Sequence, residues 1–223
     1  MPRQVFGFSD AEALAAFAAQ EFVRRAAAAI RERGVFRVAL AGGQTPRRTH
    51  EALTRPPLRN RVDWTSVQFF FGDERAVPPD HPDSNFNAAR LALLDQLPLH
   101  ASQVHRLAGE RGDLDGAARE YAADLGRSFG VPQGPNPPRF DLVFLGMGKD
   151  GHTASLFPFT EALGEARAWV VRNEVPQLDT TRLTFTYPVL NAALAVLFMV
   201  SGHDKAEALE RVLEGPPNLQ QFP

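Results

Sequence analysis

The stretch Asp141–Pro158, DLVFLGMGKDGHTASLFP, places Lys149, Asp150 and His152 in one short loop. Imidazole exchanges a proton near neutral pH, so His152 is a candidate general base. Asp150 is a carboxylate able to orient that ring, and Lys149 is a cation beside both. Gly146, Gly148 and Gly151 punctuate the loop. Glycine lets a chain turn sharply and lets a ligand approach, because it carries no Cβ. The set has the composition of an active-site loop.

Two plainer readings compete. G-M-G-K-D-G fits the dinucleotide pattern GxGxxG, and Glu174 lies downstream at a suitable distance. A lone GxGxxG is weak evidence, however, and Pro158 leaves too little chain for the helix that should carry a pyrophosphate. The other reading makes His152 a helix cap and nothing more. The neighbouring Asp, Gly and Lys residues favour chemistry.

The loop needs a strand to deliver it, and Leu142–Leu145 is an apolar run suited to a buried parallel strand. Three other runs share this arrangement. Val35–Leu40 leads into Ala41-Gly42-Gly43-Gln44-Thr45-Pro46, with Pro46 expected in the first position of a helix. That turn is either a plain strand-to-helix connection or an anion site built from free backbone N–H groups at a helix dipole's positive end. It lacks the lysine of a P-loop. Val67–Phe71 leads into Gly72-Asp73-Glu74-Arg75, which makes Arg75 a candidate anion ligand. Ala195–Val200 leads into Ser201-Gly202-His203-Asp204-Lys205.

Helical segments alternate with these runs. Ser9-Asp10-Ala11-Glu12 fits a capping box before a long helix ending near Gly34. Ser84 suits the N-cap of the next helix but one, and Asp115–Phe129 and Ala206–Leu213 read as further helices. Arg167–Arg172 and Arg182–Thr186 are strand-like, and the Pro- and Gly-rich stretch Gly130–Pro138 is a loop. The alternation predicts an α/β fold, a mostly parallel doubly wound sheet with helices on both faces, in a single domain over residues 1–223.

Composition narrows the function. A formal charge of -2 supplies no basic surplus for nucleic acid. Cysteine is absent, which removes thiolate chemistry and fits a reducing cytosol. The N-terminus lacks an apolar signal core, and the longest apolar run, Ala192–Val200, is too short to span a bilayer. A cytoplasmic protein with no membrane or nucleic-acid partner is expected. Nothing fixes its oligomeric state, and a monomer is the working expectation. Among 24 basic residues only Lys149 and Lys205 are lysines, each in a glycine-containing loop after an apolar strand. Lysine offers a compact point charge where arginine offers a fork, so both are candidate ligand groups.

The combination of GDER, the segment DSNFNAAR at Asp83–Arg90, GMGKDGHTASLFP and SGHDKAEAL resembles the 6-phosphogluconolactonases, within the glucosamine-6-phosphate isomerase/6-phosphogluconolactonase family. The resemblance runs from about Ala11 to Gly215. It implies a Rossmann-like fold, no metal or organic cofactor, and a sugar-phosphate lactone of the oxidative pentose phosphate pathway as substrate. It also implies that His152 is the catalytic histidine and Asp150 the acid beside it. Gly42, Gly43, Gln44, Thr45, Asp73, Arg75, Lys149 and Lys205 would then surround the substrate and its phosphate. Lactone hydrolysis suits these groups: His152 would deprotonate a water, and loop N–H groups or Lys149 would stabilise the oxyanion.

Two rivals remain. Glucosamine-6-phosphate deaminases share G-x-D-G-H but keep an acidic residue where this chain has Phe157, a carboxylate that ring opening would need. A non-catalytic sugar-phosphate binder on the same scaffold would need the phosphate loops but neither His152 nor Asp150. The resemblance further implies a strand and helix beyond Pro223. Without them, apolar surface near Ala195–Leu213 is expected to be exposed.

Overall fold

The computed structural model describes residues 3–223. In chain order its principal elements are α1 (Ala11–Arg33), β1 (Phe36–Leu40), α2 (Gln44–Leu53), β2 (Val67–Phe71), β3 (Asp73–Arg75), α3 (Asn85–Ala92) and α4 (Leu114–Phe129). There follow β4 (Leu142–Leu145), β5 (Val170–Val175), β6 (Thr180–Phe185), α5 (Tyr187–Ala192), β7 (Val196–Phe198) and α6 (Ala206–Glu214). The four apolar runs form a parallel sheet in the order β2-β1-β4-β7.

Helices cover both faces of this sheet, and adjacent residues of β2 show how. Side chains alternate faces along a strand. Phe69 meets Phe22 of α1 and Trp64. Its neighbour Phe70 meets Phe129 of α4 and Phe140 on the other side. Phe22 also packs edge-on to Phe36 at 5.0 Å and stacks on Phe144 of β4, so one α1 side chain touches three strands. Alanines at Ala15, Ala18, Ala19, Ala26 and Ala29 bury the same helix face and let it approach closely.

The other strand-like runs do not join the parallel sheet. β5 and β6 pair antiparallel, and β6 pairs antiparallel with β3, as a separate three-stranded sheet in the order β3-β6-β5. Only Pro176–Asp179 separates β5 from β6, whereas a parallel crossover needs about a dozen residues or more. The strands begin at Val170 and Thr180, shifted from the expected Arg167 and Arg182. Two helix starts also differ from expectation. Asp10, not Ser9, caps α1 by accepting from Ala13 N–H at 2.8 Å, so no Ser–Glu capping box forms. α2 begins at Gln44, which moves Pro46 to its third position. Gly34 and Ser84 cap α1 and α3 as expected.

Two buried polar contacts tie the sheet together. Asp141 accepts from Arg33 at 2.6 Å and from Arg37 N–H at 2.8 Å, joining the start of β4 to α1 and β1. Tyr121 of α4 reaches the end of β2, where its hydroxyl accepts from Phe71 N–H at 2.8 Å. Burial raises the Tyr121 pKa and keeps the phenol neutral. At the opposite edge Val196, Phe198 and Val212 are exposed. Among the described residues no helix is long and apolar enough to cross a membrane.

His50 of α2 is buried, and its Nε2 has no hydrogen-bond partner among the described residues. Burial pushes its pKa down to about 4, against 6.5 for the free side chain. Between these values the unfolded chain binds the extra proton, so stability falls as pH drops below about 6.5 and levels off below about 4. The loss amounts to roughly 3 kcal/mol. A His50→Leu variant should therefore lose less melting temperature than the parent between pH 7 and pH 4.5. Equal losses in calorimetric scans would show that His50 is not the acid-sensitive group.

Candidate active site

From β1 the chain crosses to β2 on one side, while β4 lies on the other. Open α/β sheets bind ligands where the strand order reverses in this way. A cavity of about 380 Å³ lies there, within the usual range for small-molecule sites. Its walls come from the loops after β1, β4 and β7, together with β3 and the start of α3.

The loop after β4 supplies His152. Gly148 N–H donates to the His152 carbonyl at 2.8 Å, and Gly151 N–H donates to the Gly148 carbonyl at 3.1 Å, closing a tight turn. Gly151 sits at φ 84°, the left-handed region that glycine adopts freely. Within the turn the Asp150 carboxylate lies 2.6 Å from His152 Nδ1 and also accepts the His152 backbone N–H at 3.2 Å. The ring stacks on Phe157 at 3.9 Å between centroids. A carboxylate fixes the proton on Nδ1, which leaves the Nε2 lone pair free, and Nε2 has no protein partner among the described residues. His152 lines the cavity, and Asp150 holds it from outside.

The second wall is β3. Asp73 and Glu74 are both buried. Glu74 is fully employed: its carboxylate accepts from Arg75 N–H, Ser84 Oγ, Asn85 N–H and Phe86 N–H, all at 2.7–2.9 Å. Burial raises its pKa, and these four hydrogen bonds offset only part of that rise. Glu74 thereby caps α3 and pins it to β3. Asp73 accepts from Ser155 Oγ at 2.7 Å and from the Asn85 amide at 3.1 Å. Arg75 lines the cavity, and its guanidinium donates to the Asp83 carbonyl.

The third wall is the start of α2. Gly43, at φ 99°, is its N-cap and brings no capping side chain, so the first-turn N–H groups of Gln44 and Thr45 have no protein acceptor among the described residues. They face the cavity with the helix dipole's positive end. A Cβ on Gly42 would lie 1.8 Å from Asn85 Oδ1, so only glycine fits there. Thr45 and Ser201 bridge α2 to the loop after β7 through their hydroxyls at 2.8 Å, and Lys205 follows on that loop.

Gly42, Gly43, Gln44, Thr45, Asp73, Arg75, His152 and Lys205 thus share one cavity. Lys149 does not line it. The turn closed at Gly151 leaves its side chain exposed, bordering an adjoining shallow pocket with Phe159, Asp204 and Glu207. Asn85 and Ser201 line the cavity although neither was singled out as a ligand. Ser201 sits at a strand end, where the rule that found the others could have found it. Among the described residues no three His, Asp or Glu side chains converge as a metal site requires.

A Rossmann-like sheet that brings a carboxylate-held histidine and two cationic side chains, Arg75 and Lys205, to one cavity places this protein in the α/β class. Residues 9–223 match the model of the family described as glucosamine-6-phosphate isomerases/6-phosphogluconolactonase. The chain is 43% identical to a Synechocystis 6-phosphogluconolactonase, over 87% of this chain and 78% of that one. The solved 6-phosphogluconolactonase from Trypanosoma cruzi superposes with a TM-score of 0.88 at 28% identity, over 99% of this chain and 89% of the other. A monomeric glucosamine-6-phosphate deaminase shares the fold, with a TM-score of 0.80 at 23% identity, over 99% of this chain and 91% of the other. The chain belongs to the glucosamine-6-phosphate isomerase/6-phosphogluconolactonase family.

A Cβ at Gly148 would fall 2.2 Å from His152 Nδ1 and 2.5 Å from Asp150 Oδ1, so this glycine is what lets the pair close over the turn. A Gly148→Ala variant should fold, with a near-parental circular dichroism spectrum, but lose roughly a hundred-fold in kcat, the cost of displacing a catalytic group by about 1 Å. A kcat within two-fold of the parent would show that the pair tolerates the shift.

Proposed function

We propose that this protein hydrolyses 6-phospho-D-glucono-1,5-lactone to 6-phospho-D-gluconate, in the cytoplasm, as a step of the oxidative pentose phosphate pathway. The observation that carries the reading is a histidine held by Asp150 at Nδ1, with Nε2 free, in the same cavity as Arg75 and Lys205.

In this reading the phosphate sits against the first turn of α2, with Arg75 and Lys205 as its cationic partners. The lactone carbonyl then lies toward His152. Neutral Nε2 takes a proton from a water molecule as its oxygen bonds to the carbonyl carbon. The carbonyl electrons pass to the oxygen, which cavity N–H donors stabilise. Gly148 N–H is already committed to the His152 carbonyl, and Lys149 lies outside the cavity, so neither is that donor. The intermediate collapses by breaking the bond to the ring oxygen. The imidazolium returns its proton to that oxygen, which becomes the free hydroxyl of the product.

Phe157 supports hydrolysis over deamination. It supplies an apolar face on which the His152 ring stacks, in place of the carboxylate that sugar ring opening would need.

Replacing His152 by Gln keeps the bulk and some hydrogen bonding but removes the base. After subtraction of spontaneous hydrolysis, kcat should fall by roughly two to four orders of magnitude. Binding of 6-phosphogluconate by calorimetry should persist. Parental turnover in this variant would leave His152 with a structural role only. Lys205→Ala should raise KM for the phosphorylated lactone far more than for glucono-1,5-lactone, and equal effects on both would remove Lys205 from the phosphate site.

A further inference from the structure

Arg75 and Arg182 stand directly opposite each other on β3 and β6 of the antiparallel sheet. Opposed residues project from the same sheet face with Cβ atoms about 4.5–5.5 Å apart, where like charges repel. A carboxylate would normally be placed between two such guanidiniums. Among the described residues, neither arginine forms an ion pair with any carboxylate. The buried acids nearby are spent: Asp73 on Ser155 and Asn85, and Glu74 on the α3 cap. Both Arg75 Nε and Arg182 Nε are buried without a hydrogen-bond partner. Arg75 lines the cavity and Arg182 does not. Burial, and then the charge of Arg75, lower the Arg182 pKa, and the charges of Asp73, Glu74 and Asp83 oppose that shift.

Two guanidiniums side by side with no carboxylate in direct contact are costly unless an anion completes them. We infer that Arg182 is a positioning residue: from outside the cavity wall it repels the Arg75 guanidinium toward the cavity and adds a second positive charge to the anion seat, which suits a doubly charged phosphate monoester. This rests on the phosphate placement proposed above. The phosphate dianion takes the position that a carboxylate holds in an ordinary arginine pair. No covalent step is involved, so the effect belongs to KM and leaves kcat to His152.

The test compares steady-state kinetics of the parent, Arg75→Met, Arg182→Met and Arg182→Lys on 6-phosphogluconolactone and on glucono-1,5-lactone. Arg182→Met should raise KM for the phosphorylated lactone at least ten-fold, since a unit charge about 6 Å from a dianion is worth roughly ten-fold even at the dielectric of water. KM for glucono-1,5-lactone should be unchanged, and kcat should stay within about two-fold on both. Arg182→Lys, which restores the charge, should recover most of the loss. If Arg182→Met does not fold, Arg182→Gln, polar and neutral, carries the same comparison. An unchanged KM in the neutral variant, or equal losses on both substrates, overturns the inference. If Arg75→Met raises KM for the phosphorylated lactone while the neutral Arg182 variant does not, only the role of Arg182 fails. If neither variant moves KM, the phosphate seat fails as well.

Discussion

Parallel pairing among β1, β2, β4 and β7 is the constraint from which the site follows. Each parallel strand must be reached by a crossover, so all four carboxyl ends open along one edge. The sheet is covered on both faces by α1 and α4, and its central strands are apolar except for Arg37 near the start of β1. Polar side chains can therefore collect only where the strands stop. The reversal of strand order between β1 and β4 parts two of these loops, and the cavity lies in the gap.

What fills that edge is governed by how buried charge is satisfied. Glu74 and Asp141 are stable inside the protein because each accepts hydrogen bonds from several fixed donors. Each also does structural work, Glu74 fastening α3 to β3 and Asp141 fastening β4 to β1. The cations around the cavity are treated differently. Arg75 and Arg182 keep unpartnered Nε groups, and the first turn of α2 keeps unspent N–H donors. The buried acids are satisfied internally while donors are left open, and in the proposed reading this polarity suits the cavity to an anion, although exposed Asp204 also lines it.

The turn that carries His152 depends on a different balance, between close approach and restraint. Gly148 lets the His152 ring and the Asp150 carboxylate come closer than any side chain would allow. Phe157 then holds one face of the ring, and the hydrogen bond from Gly148 N–H to the His152 carbonyl holds the backbone. Orientation of the imidazole is set by these contacts alone, the preorganisation that the proposed reaction would use.

Local features settled much of this in advance. Apolar runs ending in Gly and charge marked all four strand ends, since a strand buried on both faces must be apolar and must turn where it stops. The spacing Asp150-Gly151-His152 sufficed for the dyad, because two residues across a glycine turn reach each other without help from the rest of the chain. Other features depended on partners distant in sequence. Asn85 sits against Gly42, and Arg182 faces Arg75, only because strand pairing sets those registers. Lys149 had the right type and the right loop, yet the turn leaves it exposed outside the cavity. β5 and β6 left the parallel sheet because their short link permits only antiparallel return. Sequence alone determined which groups exist at the strand ends. Tertiary structure decided which of them share a cavity, because side-chain direction and cross-strand register arise only when distant segments pack.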